Sequence, residues 1–403
     1  MRTENYVDPG NGMYAMVLKT VHEMGSWEDI MSDSTSQTPY GGSVGLYFSR
    51  AGDVWGDTLD QGCVGKQCAA MVNPGVGGKG KPRAAFSPHK KAVYIMLRHL
   101  GLVVDVIVEE DLADGTIDSY SLLAVTDRHL SQNATRNIRQ WVGTKAGTLL
   151  CTGGACAMDE FDEPLTGMSE LLGVRETELL LDDPTMPIQY MKQDLPYATA
   201  LESVHSVVST GEQESKPMPV FGAISVANVS VGLTTTMAFS NGSAAATERD
   251  VGRGHAVWLG FLPGLSYFKT ALPRRPVDRC FRNDCYCQFL PEQFDAAALA
   301  VLQHVQELAS ASKPIFRPLS ASDGLVEVSP VVTASAGSLF TLVNWRMTPT
   351  AVTILVDNTT GWLAEFDMAT LGSSNQAVPR TVAGKKIALG PVDVAVADVI
   401  VLR

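Results

Sequence analysis

The sequence predicts an α/β protein in which helices cover both faces of a parallel sheet, followed by a small antiparallel β-sandwich domain. Between residues 44 and 152, short buried strand-like runs alternate with amphipathic helical stretches, which is the pattern of βαβ units. From Gly324 onward, strand-like runs follow one another with turn signals between them. The chain has 403 residues, 45% of them apolar, which is enough for two or three cored domains.

The first half of the chain supplies the βαβ pattern. Residues 12–24 have apolar side chains at helical spacing, and a polar linker connects them to the first buried run, Val44–Phe48. Ser87 and Pro88 are typical of a helix start, and the apolar stripe that follows them ends at Gly101. The later elements of this half are predicted as strands Val104–Val108, Leu122–Thr126 and Thr148–Thr152, with a helix from Ser131 to Gly143 between the last two.

The second half of the chain has a less regular pattern. Residues 175–250 contain only short β-like pieces, Val204–Ser209 and Val229–Thr236, before a strand at Ala256–Phe261 and a long helix that ends near Ser312. The strand runs of the C-terminal domain are VEVSPVVTA, SLFTLVNWR, AVTILVDN, WLAEFDM and VDVAVADVIVLR. We therefore expect an N-terminal helix and linker at 1–42, an α/β domain at 43–313 and a β domain at 314–403.

Composition excludes several classes of protein. With 43 acidic and 31 basic residues the formal net charge is −12, which makes nucleic acid a poor partner. No apolar run approaches the roughly 18 residues of a membrane span, and the N-terminus has acids where a signal peptide needs bases. Seven cysteines over a long chain do not resemble a small disulfide framework, so reduced thiols in a soluble, cytoplasmic protein are expected.

Four N-x-[ST] tripeptides start at Asn133, Asn228, Asn241 and Asn358. Such tripeptides also arise by chance, and they would matter only in a secreted protein. From the sequence alone, these tripeptides do not indicate whether the protein is secreted.

Several segments carry a resemblance to a known family. SVGLYFSRAGDVW, HKKAVYIMLRHLGLVVDVIVEEDL, YSLLAVTDRHLS, WVGTKAGTLLCTGGACAMDEF and GRGHAVWLGFLPG resemble the second domain of glycoside hydrolase family 42 β-galactosidases. That domain is called the β-galactosidase trimerisation domain and has the flavodoxin-like fold of class I glutamine amidotransferases. The last 80 or so residues are similar to the family's small C-terminal β domain. The resemblance implies a homo-oligomer or a partner catalytic barrel, with carbohydrate as a possible ligand.

The sequence departs from the family in the part that carries the chemistry. The family hydrolyses its substrate with two glutamates on an N-terminal (β/α)8 barrel, and no segment here corresponds to that barrel. Residues 1–42 resemble at most the tail of a preceding domain. The resemblance therefore implies a non-catalytic accessory or oligomerisation role, with no cofactor.

Cys156 is the strongest candidate for a nucleophile. It lies in Gly153–Met158 just after a predicted parallel strand, where a strand-to-helix turn would expose a thiol. Met158 replaces the second glycine of such an elbow, and the downstream histidines His205 and His255 lack the acid of an H-x-E pair. A cysteine-dependent amidotransferase-like hydrolase is therefore the alternative function, and a buried apolar thiol is the structural interpretation.

Polar residues that follow two neighbouring strands predict a ligand crevice at the carboxyl edge of the sheet. Asp127, Arg128 and His129 follow one strand, and Gly154, Asp159 and Glu160 follow the next. Helix capping and solvated loops are the alternative use of these residues. Adjacent Glu109 and Glu110 end a strand and point to opposite faces, so they cannot easily form a glycosidase carboxylate pair.

Three further patterns are weak. Cys280, Cys285 and Cys287 could bind zinc with Cys63 and Cys68, but the spacings do not match zinc knuckles, so free thiols are favoured. Residues 75–82 resemble a phosphate-binding loop, yet Pro82 replaces the required hydroxyl and no strand precedes the glycines. In a carbohydrate-binding module, Trp345 and Trp362 would be the aromatic platform, although strand aromatics more often lie in a core.

Overall fold

The computed structural model describes the following residues: 43–61, 86–181, 200–207, 217–269, 293–332, 338–346 and 348–402, together with Leu18, Val21, His22, Gly25 and Glu28. These five early residues are helical and exposed. The chain divides into two compact units, Gly42–Phe316 and Met1–Gly41 with Arg317–Arg403.

A nine-stranded sheet forms the centre of the unit Gly42–Phe316. The strands of this unit are β1 (Val44–Tyr47), β2 (Val104–Ile107), β3 (Leu122–Val125), β4 (Thr148–Cys151), β5 (Val174–Leu181), β6 (Glu202–Ser206), β7 (Met218–Val220), β8 (Ala223–Val229), β9 (Thr234–Phe239), β10 (Ala244–Val251) and β11 (Gly254–Leu259). The order in the sheet is β2-β1-β3-β4-β11-β10-β9-β6-β7, and β5 pairs with β8 separately. Strands β2, β1, β3, β4 and β11 are mutually parallel. The remaining four strands, β10, β9, β6 and β7, are each antiparallel to their neighbours.

Helices pack on both faces of the sheet. The helices are α1 (Arg50–Gln61), α2 (Phe86–His99), α3 (Glu109–Ala113), α4 (Gln132–Lys145), α5 (Thr166–Leu172), α6 (Pro263–Lys269) and α7 (Ala296–Ser312). Leu122 and Leu150 point to the face covered by α2 and α7, whereas Leu123 and Leu149 point to the face covered by α4. This alternation follows from the period of two in a strand. In the described part of the chain, no helix has the length and apolar character needed to cross a membrane.

The parallel strands and helices α2, α4 and α7 agree with the sequence-based prediction, apart from two helix boundaries, whereas helix α1 was not predicted. Helix α2 begins at Phe86, before the predicted Ser87 cap. The predicted stop of the next helix at Gly143 is wrong, because α4 continues to Lys145 and ends where Ala146 adopts a left-handed conformation (φ 59°). Ser131 caps this helix as predicted, since its Oγ accepts a hydrogen bond from the Ala134 N–H.

The sequence predicts only part of the antiparallel half of the sheet. The predicted piece Val204–Ser209 overlaps β6. The predicted piece Val229–Thr236 is wrong, because β8 ends at Val229 and β9 begins at Thr234, with a turn at Gly232 (φ 93°) between them. Strand β10 has the sequence AAATERDV, whose alanines and charges give no strand signal. Pairing of Ala246–Val251 with β11 places this polar stretch in the sheet.

The C-terminal unit contains two four-stranded antiparallel sheets, with strand orders β12-β15-β18-β17 and β13-β14-β19-β16. The strands are β12 (Leu319–Ala321), β13 (Val326–Val332), β14 (Ser338–Asn344), β15 (Thr350–Asp357), β16 (Ala369–Leu371), β17 (Arg380–Ala383), β18 (Lys386–Val394) and β19 (Ala397–Leu402). The predicted strand WLAEFDM is wrong, because residues 362–368 are irregular. Trp362 is buried there and donates from Nε1 to the Asp357 carbonyl at 2.7 Å, so it is not an exposed carbohydrate platform.

Candidate functional site at the carboxyl edge of the parallel strands

In the parallel part of the sheet, the strand order reverses at β1. The chain places β2 on one side of β1 and β3 on the other, so the connections from these strands diverge at their carboxyl ends. Open α/β sheets bind ligands in the crevice at such a switch point. Ser49 follows β1, Asp127 follows β3 and Thr152 follows β4, so polar residues from three strands meet at this edge.

Asp127 is buried at the centre of this edge. Its Oδ2 accepts a hydrogen bond from the Ser49 N–H at 3.0 Å, and its Oδ1 lies 2.6 Å from the Lys90 Nζ. Burial raises the pKa of Asp127, and the Lys90 ammonium opposes that rise. The same ammonium lies 4.4 Å from the centre of the Phe48 ring. Lys90, which sequence reasoning missed, therefore neutralises Asp127 from helix α2.

Helix α1 begins next to the Asp127 carboxylate. Ser49 Oγ accepts a hydrogen bond from the Gly52 N–H at 3.1 Å and donates one to the His129 carbonyl at 2.7 Å, so Ser49 caps the helix and ties it to the chain after β3. A Cβ on Gly52 would lie 2.7 Å from the Cβ of Asp127. Only glycine allows the first turn of α1 to approach Asp127 this closely.

His89 is a second buried group that the sequence analysis did not select. It is fully buried on α2, and its Nε2 makes a 2.9 Å hydrogen bond with Thr152 Oγ1. Burial lowers the pKa of His89 to about 3, and the neighbouring Lys90 acts in the same direction. The imidazole is therefore neutral at physiological pH. The signal that could have found it is its place in the first turns of α2, one residue before Lys90.

His129 and Arg128, two of the predicted crevice residues, have partners within the fold. His129 Nε2 lies 2.8 Å from Asp162 Oδ1, and its ring stacks on Trp55 with centroids 5.3 Å apart. Burial lowers the pKa of His129, and Asp162 opposes this shift. Arg128 makes a 2.7 Å ion pair with Glu176 and a longer hydrogen bond to the carbonyl of Gly154.

Asp159 and Glu160 are used for turn and helix capping. Asp159 Oδ1 accepts hydrogen bonds from the N–H groups of Phe161 and Glu163, and its Oδ2 accepts one from the Gln132 side chain. Glu160 Oε2 accepts from the Gln132 N–H at the start of α4. Carboxylates in this position stabilise a helix N-terminus. These contacts correspond to the capping alternative for the two acids.

Cys156 lies in the turn where the sequence placed it, with φ 62°, but its sulfur is bonded to Cys151 in a disulfide. The expectation of reduced thiols is therefore wrong for this pair. A disulfide sulfur has no thiolate with which to attack a substrate. Both cysteines belong to the core on the α4 side of the sheet, where Cys156 is 2% exposed.

The histidines considered as partners of Cys156 lie far from it. His255 pairs across the sheet with Thr148, at the amino end of β4, whereas Cys156 follows the carboxyl end. Cys151 is three residue positions after Thr148, which corresponds to about 10 Å along the strand. His255 does have an acid partner, since Asp250 on β10 lies 2.7 Å from its Nδ1. His205 lies on β6, beyond β9.

No three His, Cys, Asp or Glu side chains come together as metal ligands within the described ranges. The zinc candidates Cys63, Cys68, Cys280, Cys285 and Cys287, and the glycine-rich residues 75–82, lie outside those ranges. The edge of the sheet thus combines buried, mutually paired charges with a disulfide. Such an arrangement holds the loops after β1, β3 and β4 together.

The sequence matches no protein-family model and no curated protein. Solved structures do match the fold. The chain is similar to Gan42B, a GH42 β-galactosidase from G. stearothermophilus solved as a catalytic mutant, with a TM-score of 0.52 and 15% identity over 99% of this chain and 46% of that one. It is also similar to a β-galactosidase from Bacillus circulans sp. alkalophilus, with a TM-score of 0.54 and 11% identity over 98% of this chain and 46% of that one.

A third similar structure comes from an enzyme with another named activity. The α-L-fucosidase isoenzyme 2 of Paenibacillus thiaminolyticus matches with a TM-score of 0.53 and 10% identity over 97% of this chain and 52% of that one. The chain thus spans about half the length of the structures it matches. At these identities the likeness shows the fold alone.

Proposed function

We propose that this chain is a non-catalytic accessory and assembly region of a glycoside hydrolase of the GH42 β-galactosidase type. In this proposal residues 43–313 are an amidotransferase-like trimerisation domain with a flavodoxin-like sheet, and residues 314–403 are a C-terminal β domain. The observation that carries the proposal is the likeness in fold, which covers nearly all of this chain and about half of each β-galactosidase. The strand order β2-β1-β3-β4-β11 supports the flavodoxin-like assignment.

The chemistry of the sheet edge supports a role without catalysis. Asp127, Arg128 and His129 each make an ion pair or hydrogen bond within the chain, and Cys156 is in a disulfide. A cysteine hydrolase needs a free thiolate beside a base. The paired charges instead suit a rigid scaffold that shapes a carbohydrate site on a partner.

The edge of the large sheet supports self-association. Strand β2 is at one end of the strand order, and its Val106 side chain is 59% exposed. An exposed strand edge with an apolar side chain is a ready surface for contact with another chain. We propose that β2 lies in the contact between copies of this chain.

Light scattering over a range of protein concentrations tests this proposal. The wild-type chain is expected to form an oligomer, Val106→Lys to weaken it, and Val231→Lys, at a fully exposed turn residue, to leave it unchanged. A wild-type chain that is monomeric at every concentration contradicts the assembly role. Equal effects of the two substitutions contradict the placement of the contact at β2.

A further inference from the structure

The Cys151–Cys156 disulfide bears on the compartment in which the chain folds. Disulfides persist in oxidising compartments and are rare in the cytosol, where thiols are kept reduced. Cys151 lies in the middle of the sheet at the end of β4, and both cysteines are almost completely buried. A bond in such a core position must form during folding. This observation argues for folding outside the cytosol, where N-x-[ST] tripeptides act as acceptors of N-linked glycans.

The fold distinguishes these four tripeptides. Asn358 is tied to the backbone, because its Nδ2 donates to the Leu363 carbonyl and its Oδ1 accepts from the Leu363 N–H. Asn133 is in helix α4, where the hydroxyl residue of its tripeptide, Thr135, is buried. Asn228 is in strand β8, paired with Arg175 of β5. The Asn358 carboxamide is thus engaged in its loop, and Asn133 and Asn228 lie within regular secondary structure and not at a turn.

Asn241 is in a different position, at the tip of the hairpin between β9 and β10. The Gly242 N–H donates to the Phe239 carbonyl at 2.9 Å, and Gly242 has φ 83°, so the chain turns sharply at Asn241. Asn241 and Gly242 are exposed. Exposed turn tips are the places where a chain best accepts modification without loss of structure.

The side chain of Asn241 is already associated with the hydroxyl residue of its own tripeptide. Its Oδ1 accepts hydrogen bonds from the Ser243 N–H at 2.9 Å and from the Ser243 hydroxyl at 2.6 Å. These contacts use the oxygen of the carboxamide. In the described part of the chain the Asn241 Nδ2 donates no hydrogen bond, and the residue is exposed.

We propose that Asn241 is the acceptor of an N-linked glycan, added as the chain passes through an oxidising secretory compartment. The donor class is a polyprenyl-pyrophosphate-linked oligosaccharide. The Asn241 Nδ2 forms a bond to the anomeric carbon and loses one proton, while the bond from that carbon to the pyrophosphate oxygen breaks and the lipid pyrophosphate leaves. The proposal is independent of the function proposed above.

Expression of the full chain through the secretory pathway of a eukaryotic host tests the proposal. The wild-type chain is expected to carry a glycan that an endoglycosidase removes. Asn241→Gln and Ser243→Ala should each lose one glycan, whereas Ser243→Thr should keep it because the hydroxyl remains. Asn358→Gln is the matched control and should have no effect. Absence of any glycan, or a glycan pattern unchanged in Asn241→Gln, would overturn the proposal.

The same material tests the disulfide on which the compartment argument depends. Both cysteines lie in one tryptic peptide, Ala146–Arg175. Without reduction, that peptide should resist alkylation and be lighter by two hydrogens than its reduced form. A fully alkylated peptide from the secreted chain would remove the argument for an oxidising compartment.

Discussion

At the scale of single residues, the most informative contact is the pair formed by Lys90 and Asp127. Asp127 is 6% exposed and would be an uncompensated buried charge without the ammonium. Lys90→Met should therefore lower the free energy of unfolding at neutral pH by about 3 kcal/mol, the usual cost of breaking a buried pair from one side. Denaturant unfolding measures this change. Lys91→Met, at the exposed neighbouring lysine, is the matched control and should change little.

The cost of Lys90→Met should depend on pH. Because burial raises the pKa of Asp127, the folded chain keeps that proton to a higher pH than the unfolded chain. The cost of the buried carboxylate is present at neutral pH and disappears as the pH falls through the folded pKa. The deficit of Lys90→Met should thus be largest near pH 7 and shrink as the pH falls through the folded pKa of Asp127. A deficit that grows in acid would contradict this account.

Two histidines should have pKa values on opposite sides of the ordinary histidine value. Burial lowers the pKa of His89 to about 3, whereas the hydrogen bond to Glu248 raises the pKa of His304. In an NMR titration, His304 should hold its proton above the usual midpoint, and His89 should stay neutral until the chain unfolds in acid. Substitution of each residue by Gln assigns the signals. A His89 signal that titrates near the usual value of about 6.5 would contradict its placement beside Thr152.

The low pKa of His89 also makes the stability of the folded chain depend on pH. Its folded pKa is below its unfolded pKa, so the unfolded chain binds a proton more readily in acid. The stability contributed by the neutral imidazole is complete above the unfolded pKa and is lost as the pH falls toward about 3. His89→Gln should reduce the loss of stability over this interval, which denaturant unfolding at several pH values measures.

At the scale of elements, two helical glycines provide a matched comparison. Alanine is favoured over glycine in a helix by about 1 kcal/mol, and nothing lies within 4 Å of a Cβ built on Gly143 of α4, so Gly143→Ala should stabilise the chain. A Cβ on Gly52 of α1 would approach Asp127 to 2.7 Å. Gly52→Ala should therefore destabilise the chain despite its better helix propensity. Thermal unfolding that shows equal effects would contradict the close approach of α1 to Asp127.

The elements differ in how well the sequence predicts them. Val44–Tyr47 and Leu122–Val125 were predicted because buried parallel strands are continuous apolar runs. Strand β10 was missed because AAATERDV has weak strand propensity, and only its pairing with β9 and β11 places it in the sheet. WLAEFDM was predicted as a strand, but Trp362, Leu363 and Phe366 reach the core from an irregular segment.

For the candidate site, the sequence predicts where the residues lie but not which residues they contact. The position of Asp127, Arg128 and His129 at the carboxyl edge follows from the rule for parallel sheets. Their partners do not follow, because Lys90, Glu176 and Asp162 come from distant parts of the chain. The Cys151–Cys156 bond was also missed, since two cysteines five residues apart give no pairing signal without the turn between them.

At the scale of the whole molecule, the fold connects this chain with glycoside hydrolases of two named activities, a β-galactosidase and an α-L-fucosidase. A shared fold does not by itself assign a function, because function depends on the particular site that the fold carries. The accessory role is therefore a proposal that needs a direct test of activity.

Hydrolysis of a chromogenic galactoside by the purified full chain, measured at increasing denaturant, tests the central claim most directly. The account predicts no turnover above the buffer rate at any folded fraction of the protein. Turnover that falls in parallel with the folded fraction would show that this chain hydrolyses the sugar itself, and it would contradict the accessory role.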